Sequence, residues 1–424
     1  MAKEYEEVSN QICKNINNQM CEKLTTPFTR YAALRVVKEH HFQDPDLKHY
    51  YKEVDGQIKL TEIDEEGNTF FHRCARLTNK HQLLGAFICT INALKNKNPK
   101  NNKGITPLHI AALTGNFAMC KMIIENVKDK NPRNNNRIAP LHFAVQNGHF
   151  SICELIAKYV KDRNPSDEEG LTPLHIAVNE GHFDICKLLL QNTKNRNPKN
   201  NKGWTPLHSA ARDGKFAIFK LIAKDVKTVR NLNPKDDKSE TPLHLAAKGS
   251  HLAICKLILK HVSDKNPRNS LGLTPLHIAA WFGYVSVFEL FYVKDKNPIT
   301  FDGTTPLHYA CLNGHLDVFL WLSSKIKDIT RKDFQGKSPF HYAAKNGHLK
   351  ICEKIIERVD DKNPKDNTGM TPLHLAAAYG SIGLCRLILK NINERNPKTI
   401  EGMTPLDFAD GHYNIHRLFN KQNL

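Results

Sequence analysis

One tetrapeptide, Thr-Pro-Leu-His, begins at Thr106, Thr172, Thr205, Thr241, Thr274, Thr305 and Thr371. Variants begin at Ala139, Ser338 and Thr404, and a degenerate Thr-Phe-Phe-His begins at Thr69. Successive starts are usually 33 residues apart, the exceptions being 37 after Thr69, 36 after Thr205 and 31 after Thr274. A period of this size dictates a solenoid, because one such unit cannot bury its own apolar surface and must stack on its neighbours to do so. Residues present in every unit then serve stacking. Specificity falls to the positions that vary.

The unit from Asp366 to Lys398 shows how the chain folds locally. Gly369 stands where a tight turn needs positive φ. Thr371 is placed to cap a helix through its hydroxyl, and Pro372 suits the first helical position, where its missing N–H costs nothing. Leu373, Ala376 and Ala377 form the apolar face of a short first helix that ends at Gly380. A second helix begins near Ser381, with Ile382, Leu384, Cys385, Leu387, Ile388 and Leu389 as a wide buried stripe. A polar stretch ending in Asn-Pro leads to the next turn. Each unit reads as helix, turn, helix and projecting hairpin-like loop.

These residues carry a resemblance. The pattern is similar to the ankyrin repeat, whose signature is G-x-T-P-L-H-x-A-A-x-x-G-H over 33 residues, and it runs from about Glu66 to the C-terminus. The resemblance implies an all-α α-solenoid of about 10–11 L-shaped units, stacked in a curved array with the loops as fingers on the concave side. Residues 66–424 form the array, with a degenerate first repeat and a truncated, polar last repeat that carries Asp407 for His. Arg137 and Ser239 replace the turn glycine, so those two fingers are expected to be distorted. The short interval before Thr305 is expected to shorten the second helix near Phe288 to Lys294. Residues 1–65 lack the repeat: Tyr5 to Lys23 and Pro27 to Phe42 read as helices, and Asp44-Pro45 and Asp55-Gly56 as turns. The segment is expected to cap the open face of the first repeat, the alternative being a docking element.

Composition narrows the function class. No apolar run approaches the ~20 residues that span a bilayer, and the N-terminus lacks the layout of a secretory signal. A cytoplasmic or nuclear protein is expected, without membrane insertion. Six of the 11 cysteines (Cys120, Cys153, Cys186, Cys255, Cys352, Cys385) fall in one slot of the repeat that elsewhere holds Phe219, Phe288 or Phe319. A slot that accepts either residue is a buried apolar site. The 22 histidines do not suggest a metal, since equivalent residues of stacked repeats lie roughly 10 Å apart, too far to share a zinc. The motif histidines, at the third helical position, are placed to bond the N-cap and the adjacent loop. No phosphate-binding loop, nucleophile elbow, zinc-protease or kinase motif occurs. No catalytic residue, metal or cofactor is expected, and the chain reads as a non-enzyme.

Two features depart from the ordinary repeat. Asn-Pro recurs at Asn98, Asn131, Asn164, Asn197, Asn233, Asn266, Asn297, Asn363 and Asn396. Proline stiffens the loop and asparagine tolerates turn geometry. The family resemblance adds that asparagine at this finger position is a target of hydroxylation, for which Asn131, Asn266 and Asn363 are candidates. Basic residues bracket these pairs, among them Lys265, Lys296 and Lys362 before the asparagine, and Lys100, Arg133 and Arg268 after the proline. Repeated, they would form a positive ladder suited to an acidic partner, in keeping with the net charge of +18.

The family's partner contacts come from finger residues flanking the turn glycine and from the end of the first helix. In the later repeats these positions become aromatic: Trp204, Trp281, Phe282, Phe301, Phe334 and Tyr379. Aromatic rings beside basic residues have the composition of interface hot spots. The expected function is a protein-binding scaffold or adaptor with one patch from about Trp204 to Tyr379, centred on Trp281. The alternatives are binding of nucleic acid or an anionic surface through the basic fingers, and substrate recognition within a larger enzyme complex. No small-molecule substrate is expected.

Overall fold

The computed structural model describes residues 52–54, 57–59, 63–76, 96–191, 195–224, 232–291 and 293–420. The chain divides into two compact units, residues 1–201 and 202–424. The helices expected at Tyr5 to Lys23 and Pro27 to Phe42 lie outside the described residues, as do the two turns. The described part of that segment holds two short strands, Lys52–Val54 and Gln57–Lys59, paired antiparallel with Glu53 opposite Ile58. Beyond it every described regular element is a helix. The protein is an all-α repeat solenoid.

In the first unit, Phe70–Arg76 is the first helix of the degenerate repeat. Three full repeats follow, with first helices Pro107–Thr114, Pro140–Gln146 and Pro173–Glu180 and second helices Phe117–Asn126, Phe150–Tyr159 and Phe183–Leu190. The second unit repeats the arrangement, with first helices Pro206–Arg212, Pro242–Lys248, Pro275–Phe282, Pro306–Asn313, Pro339–Lys345 and Pro372–Ala378. Within each unit first helices pack on first helices and second on second. The motif leucines and the paired small residues are the core: Leu108, Leu141, Leu276 and Leu307 are fully buried, as are Ala111, Ala144, Ala279 and Ala310. The small side chains let the first helices approach closely, and Cys120, Cys153, Cys255 and Cys352 fill the cleft behind them as buried thiols.

Each finger turns on a side-chain hydrogen bond. The Asp366 carboxylate accepts the N–H groups of Thr368 (2.9 Å) and Met370 (3.0 Å), while the Asp366 N–H donates to the Met370 carbonyl at 2.8 Å. Gly369 then takes φ +79°. Arg137 and Ser239 do not distort their fingers. They adopt φ 59° and 56° and keep the turn: Asn134 Oδ1 accepts the Ile138 N–H and Asp236 Oδ1 the Glu240 N–H, each at 2.8 Å, while the Asn134 and Asp236 N–H groups donate to the Ile138 (3.0 Å) and Glu240 (2.9 Å) carbonyls. Two flanking residues that demand the turn hold a non-glycine residue in the left-handed region, at a cost of about 1–3 kcal/mol.

The short interval has the expected effect: Val285–Leu290 spans 6 residues where Leu316–Lys325 spans 10. In the last repeat the motif segment makes turns, and the second helix is Tyr413–Asn420.

Candidate interaction face

The motif histidine is a two-ended connector. In every described repeat that carries it, Nδ1 accepts the backbone N–H of the residue three before, at 3.0 Å from Ser338 and 3.1 Å from Thr274. The imidazole must then carry its proton on Nε2, which donates forward to a carbonyl of the next repeat: His72 to Ile105 (3.0 Å), His109 to Ile138 (3.0 Å), His244 to Leu273 (3.1 Å) and His308 to Lys337 (3.1 Å). The threonine hydroxyl lies 2.8 Å from Nδ1 at Thr305 and 2.9 Å at Thr106, so it turns towards the ring. Among the described first helices that begin at a motif proline, only the Thr305 hydroxyl also accepts a helix N–H, from His308 at 3.4 Å, so the expected hydroxyl cap is largely replaced by the imidazole bond. His142 is the exception, with a buried Nε2 that no acceptor meets in good geometry.

A second histidine reaches the other way. His149 Nε2 lies 3.2 Å from the Leu113 carbonyl, His251 3.1 Å from Arg212, His315 2.9 Å from Trp281 and His348 3.0 Å from Leu312. Each acceptor is near the end of the preceding first helix, and each ring passes over that helix's terminal glycine. A Cβ on Gly115 would come within 2.7 Å of His149, and one on Gly314 within 2.5 Å of His348. Burial lowers the pKa of His109, His244, His308 and His341 to about 4 and that of His277 to about 3. These imidazoles are neutral, with both nitrogens engaged.

The basic residues after the prolines are stacking groups as well. Lys100 donates to the Arg133 carbonyl (2.9 Å), Arg133 to Ser166 (2.7 Å) and Arg268 to Ile299, and Lys332, at the equivalent position of the repeat without the proline, donates to Lys365 (2.8 Å). Among those before the asparagine, Lys296 donates to the Phe291 carbonyl, closing the short second helix, and burial lowers its pKa. Lys265 is exposed and Lys362 half-buried. Several members of the expected ladder are thus tied to backbone carbonyls.

The Asn-Pro asparagine has an equally specific partner. Its Oδ1 accepts the N–H of the motif leucine ten residues on: Asn98 with Leu108 (3.2 Å), Asn164 with Leu174 (3.0 Å), Asn233 with Leu243 (2.9 Å), Asn297 with Leu307 (3.1 Å) and Asn363 with Leu373 (3.0 Å). That N–H is one of the unpaired donors of the first turn of a helix. At Asn131 and Asn266 the oxygen is buried without a hydrogen bond. The loops themselves are Asx turns, with Asp129, Asp264 and Asp361 accepting the N–H of Asn131, Asn266 and Asn363.

The aromatic residues fall into separate groups. Trp204 is half-buried, not exposed: its Nε1–H donates to Ser209 Oγ at 2.8 Å, its ring lies 5.1 Å from that of His208, and Arg212 stands over it at 5.8 Å. Trp281 and Phe282 end the helix Pro275–Phe282, and Trp281 is 45% exposed. Its ring leans on Tyr309 at 5.3 Å, while Phe282 stacks on Tyr284 at 6.0 Å. Tyr379, 56% exposed, caps Pro372–Ala378 with the Lys345 ammonium 5.9 Å from its ring. Phe301 and Phe334 occupy finger tips. Among the described residues no ring contact joins the tips to Trp281.

Tyr309 and Tyr342 were not singled out from sequence, although both follow the motif histidine directly and line the same face. The Tyr342 hydroxyl donates to Asp333 at 2.7 Å. Their signal was available: the residue after the motif histidine is aliphatic at Ile110, Ile176, Leu245, Ile278 and Leu375, and a tyrosine at these two.

The stacked pairs of helices, the turn-borne fingers and the histidine connectors define an all-α repeat protein. The family model described as ankyrin repeats (three copies of the repeat per model) matches residues 71–164, 141–231, 222–300, 287–366 and 340–423, and the chain belongs to the ankyrin-repeat family. Proteins of this family generally act by binding other proteins and are typically non-catalytic. No curated protein sequence matches the chain. No described helix is long and apolar enough to cross a membrane.

Proposed function

We propose that the chain is a non-catalytic scaffold or adaptor that grips a protein partner on the face built by first helices and fingers, centred on Trp281. One observation carries this reading. The Trp281 carbonyl accepts from both Asn313 Nδ2 (3.0 Å) and His315 Nε2 (2.9 Å) of the next repeat, so a half-exposed indole is presented from a backbone fixed at that residue. A preformed aromatic anchor binds with little ordering cost, and such anchors dominate interface energetics. Surface cations further along the same unit, Lys337 and Lys345, favour an acidic partner. Trp204 contributes by holding its own helix end, through Ser209, and not as an anchor.

Affinity capture with mass spectrometry tests the reading. The Trp281→Ala, Phe282→Ala double variant is expected to lose the captured partner while keeping its helical circular dichroism; undiminished capture overturns the proposal. Repeating the capture without residues 1–65 tests our further assignment of that segment as a cap or docking element. The proposed setting is the cytoplasm or nucleus, where the eight buried cysteines of the described residues remain thiols. Asn131, Asn266 and Asn363 are the proposed hydroxylation sites, read as one added oxygen by peptide mass spectrometry on natively expressed protein.

A further inference from the structure

In the second unit, the residue seven places after the motif threonine or serine is Arg212, Lys248, Trp281, Leu312, Lys345 and Ala378 in successive repeats. These are equivalent positions at the end of each first helix, and the backbone is held in the same way along the row. The carbonyl accepts from the histidine that opens the next second helix at Arg212 (3.1 Å), Trp281 (2.9 Å), Leu312 (3.0 Å) and Ala378 (3.3 Å). Neighbouring members are therefore one repeat apart, roughly 10 Å. From Arg212 to Lys345 the row is cationic, then apolar at two successive repeats, then cationic again.

A second row runs beside it. Residues three apart on a helix are neighbours, so Ile278 sits beside Trp281, Tyr309 beside Leu312 and Tyr342 beside Lys345. The Trp281 and Tyr309 rings, 5.3 Å apart, join the two repeats. Ile278, Tyr309 and Leu312 are half-buried and Trp281 is exposed, whereas Leu245, the equivalent of Ile278 one repeat earlier, is buried. The result is an apolar block two side chains wide and two repeats long. Lys248 and Lys345, both exposed, stand at its ends. Arg212, one repeat further out, is already paired with Asp213 at 2.7 Å. The carboxylates on the bordering fingers are engaged or withdrawn. Glu240 is half-buried, Asp302 accepts the Thr304 N–H (3.2 Å), and buried Asp333 accepts the Tyr342 hydroxyl (2.7 Å).

The dimensions of the block select its occupant. An α-helix brings a residue back to the same side at every seventh position, about 10.5 Å along its axis. That is in step with the repeats, and an amphipathic stripe is wide enough to cover both rows. A β-strand offers same-face residues about 6.7 or 13 Å apart and falls out of step. A polyproline II chain presents every third residue about 9.3 Å apart, but in a single row that leaves half of the block uncovered. Lys248 and Lys345 are three repeats apart, roughly 30 Å, the length of a helix of about 20 residues.

We propose that the block Ile278–Trp281–Tyr309–Leu312 receives an amphipathic helix of the protein partner, lying across the first helices. Its apolar residues, one heptad apart, meet Trp281 and Leu312, and acidic residues one heptad further out meet Lys248 and Lys345. The proposal rests on the protein-binding reading above and gives the partner its conformation and charge pattern. The probe is a labelled three-heptad peptide of helix-forming sequence, with leucine at the stripe positions of its middle and glutamate at those of both ends. Fluorescence anisotropy against the full chain reads its affinity, and circular dichroism of the mixture reads its helicity. The comparison peptides are the same sequence with central prolines, the same composition with leucine at every second position, and the same helix with lysine for glutamate.

The glutamate-ended helix is expected to bind at least about tenfold tighter than each comparison peptide. Its affinity is expected to fall as salt rises from about 50 to 300 mM, and its helicity to rise on binding. Leu312→Gln installs the residue that another repeat carries at the equivalent Gln146, so the fold is kept, and is expected to reduce affinity about tenfold. Lys248→Glu with Lys345→Glu is expected to reverse the preference in favour of the lysine-ended helix. Equal or tighter binding by any comparison peptide to the unmodified chain, salt-independent binding, no gain of helicity, or no binding up to about 1 mM each overturns the proposal. So does an unaffected Leu312→Gln variant or an unreversed charge preference. If partner capture still depends on Trp281 in that event, the helix fails while the protein-binding reading stands.

Discussion

His308 spans two repeats: its Nδ1 receives the Thr305 N–H at 3.2 Å and its Nε2 reaches the Lys337 carbonyl at 3.1 Å. The ring thus satisfies a helix N-cap and a finger of the next repeat together, and no solvent can replace it because the side chain is fully buried. His308→Ala leaves both backbone groups buried and unpaired. A loss of about 2–4 kcal/mol is expected from the two groups, measured as a shift in urea midpoint. A shift too small to measure would mean that the connector contributes little.

The same histidines make the fold acid-sensitive. Their folded pKa values, near 4, lie below the usual 6.5, so the unfolded chain binds more protons as pH falls. Stability is therefore full above pH 6.5 and is lost as pH drops towards 4. Each of these residues accounts for about 2 kcal/mol at pH 5. Circular dichroism during denaturation at pH 7.5, 6 and 5 should show a progressively lower midpoint, and a constant midpoint would contradict the assignment.

Arg137 and Ser239 hold positive φ at exposed or half-exposed turns. Replacing either with glycine removes the left-handed strain without disturbing the turn's hydrogen bonds. A gain of about 1 kcal/mol at each site is expected, seen as a higher thermal midpoint of the single variants.

Asn363 and Asn131 should respond differently to truncation. Asn363 Oδ1 accepts the Leu373 N–H at 3.0 Å, whereas Asn131 Oδ1 has no hydrogen bond. Asn363→Ala is expected to cost about 1 kcal/mol, the usual value of a lost cap, and Asn131→Ala measurably less. Equal losses in parallel urea titrations would show that the leucine N–H is not the relevant partner.

The tryptophans report their surroundings directly. Trp281 is half-exposed on its helix end, while Trp204 is packed on His208 with its Nε1–H bonded to Ser209. Trp281→Phe should remove the reddest and most acrylamide-quenchable part of the emission, and Trp204→Phe should not.

The periodic part of this architecture was legible in the sequence for a physical reason. A residue that recurs at Thr371, Pro372, Leu373 and His374 and at each equivalent site must occupy the same environment each time, so helix starts, buried slots and terminal glycines could be read from one unit. Partners 33 residues away were harder. Arg133 looks like a free finger cation, and only the stacking register brings it to the Ser166 carbonyl at 2.7 Å. Trp204 likewise reads as exposed because its neighbours in sequence are polar or small, yet the serine five residues on lies one helical turn away and takes its N–H. The intact fingers at Arg137 and Ser239 show the converse, since local preference for glycine yields to the flanking Asn134 and Asp236, whose bonds fix the turn.

The acceptors of both histidine connectors are main-chain carbonyls, at Lys337 for His308 and at Trp281 for His315. Every residue type offers that oxygen. A unit duplicated in tandem would find both docking points waiting in whichever neighbours it met, and a mutation in those neighbours could not withdraw them. An array built this way can lengthen by whole copies while its exposed positions diversify freely, so the bonds that hold the stack together place little restraint on what its surface evolves to recognise.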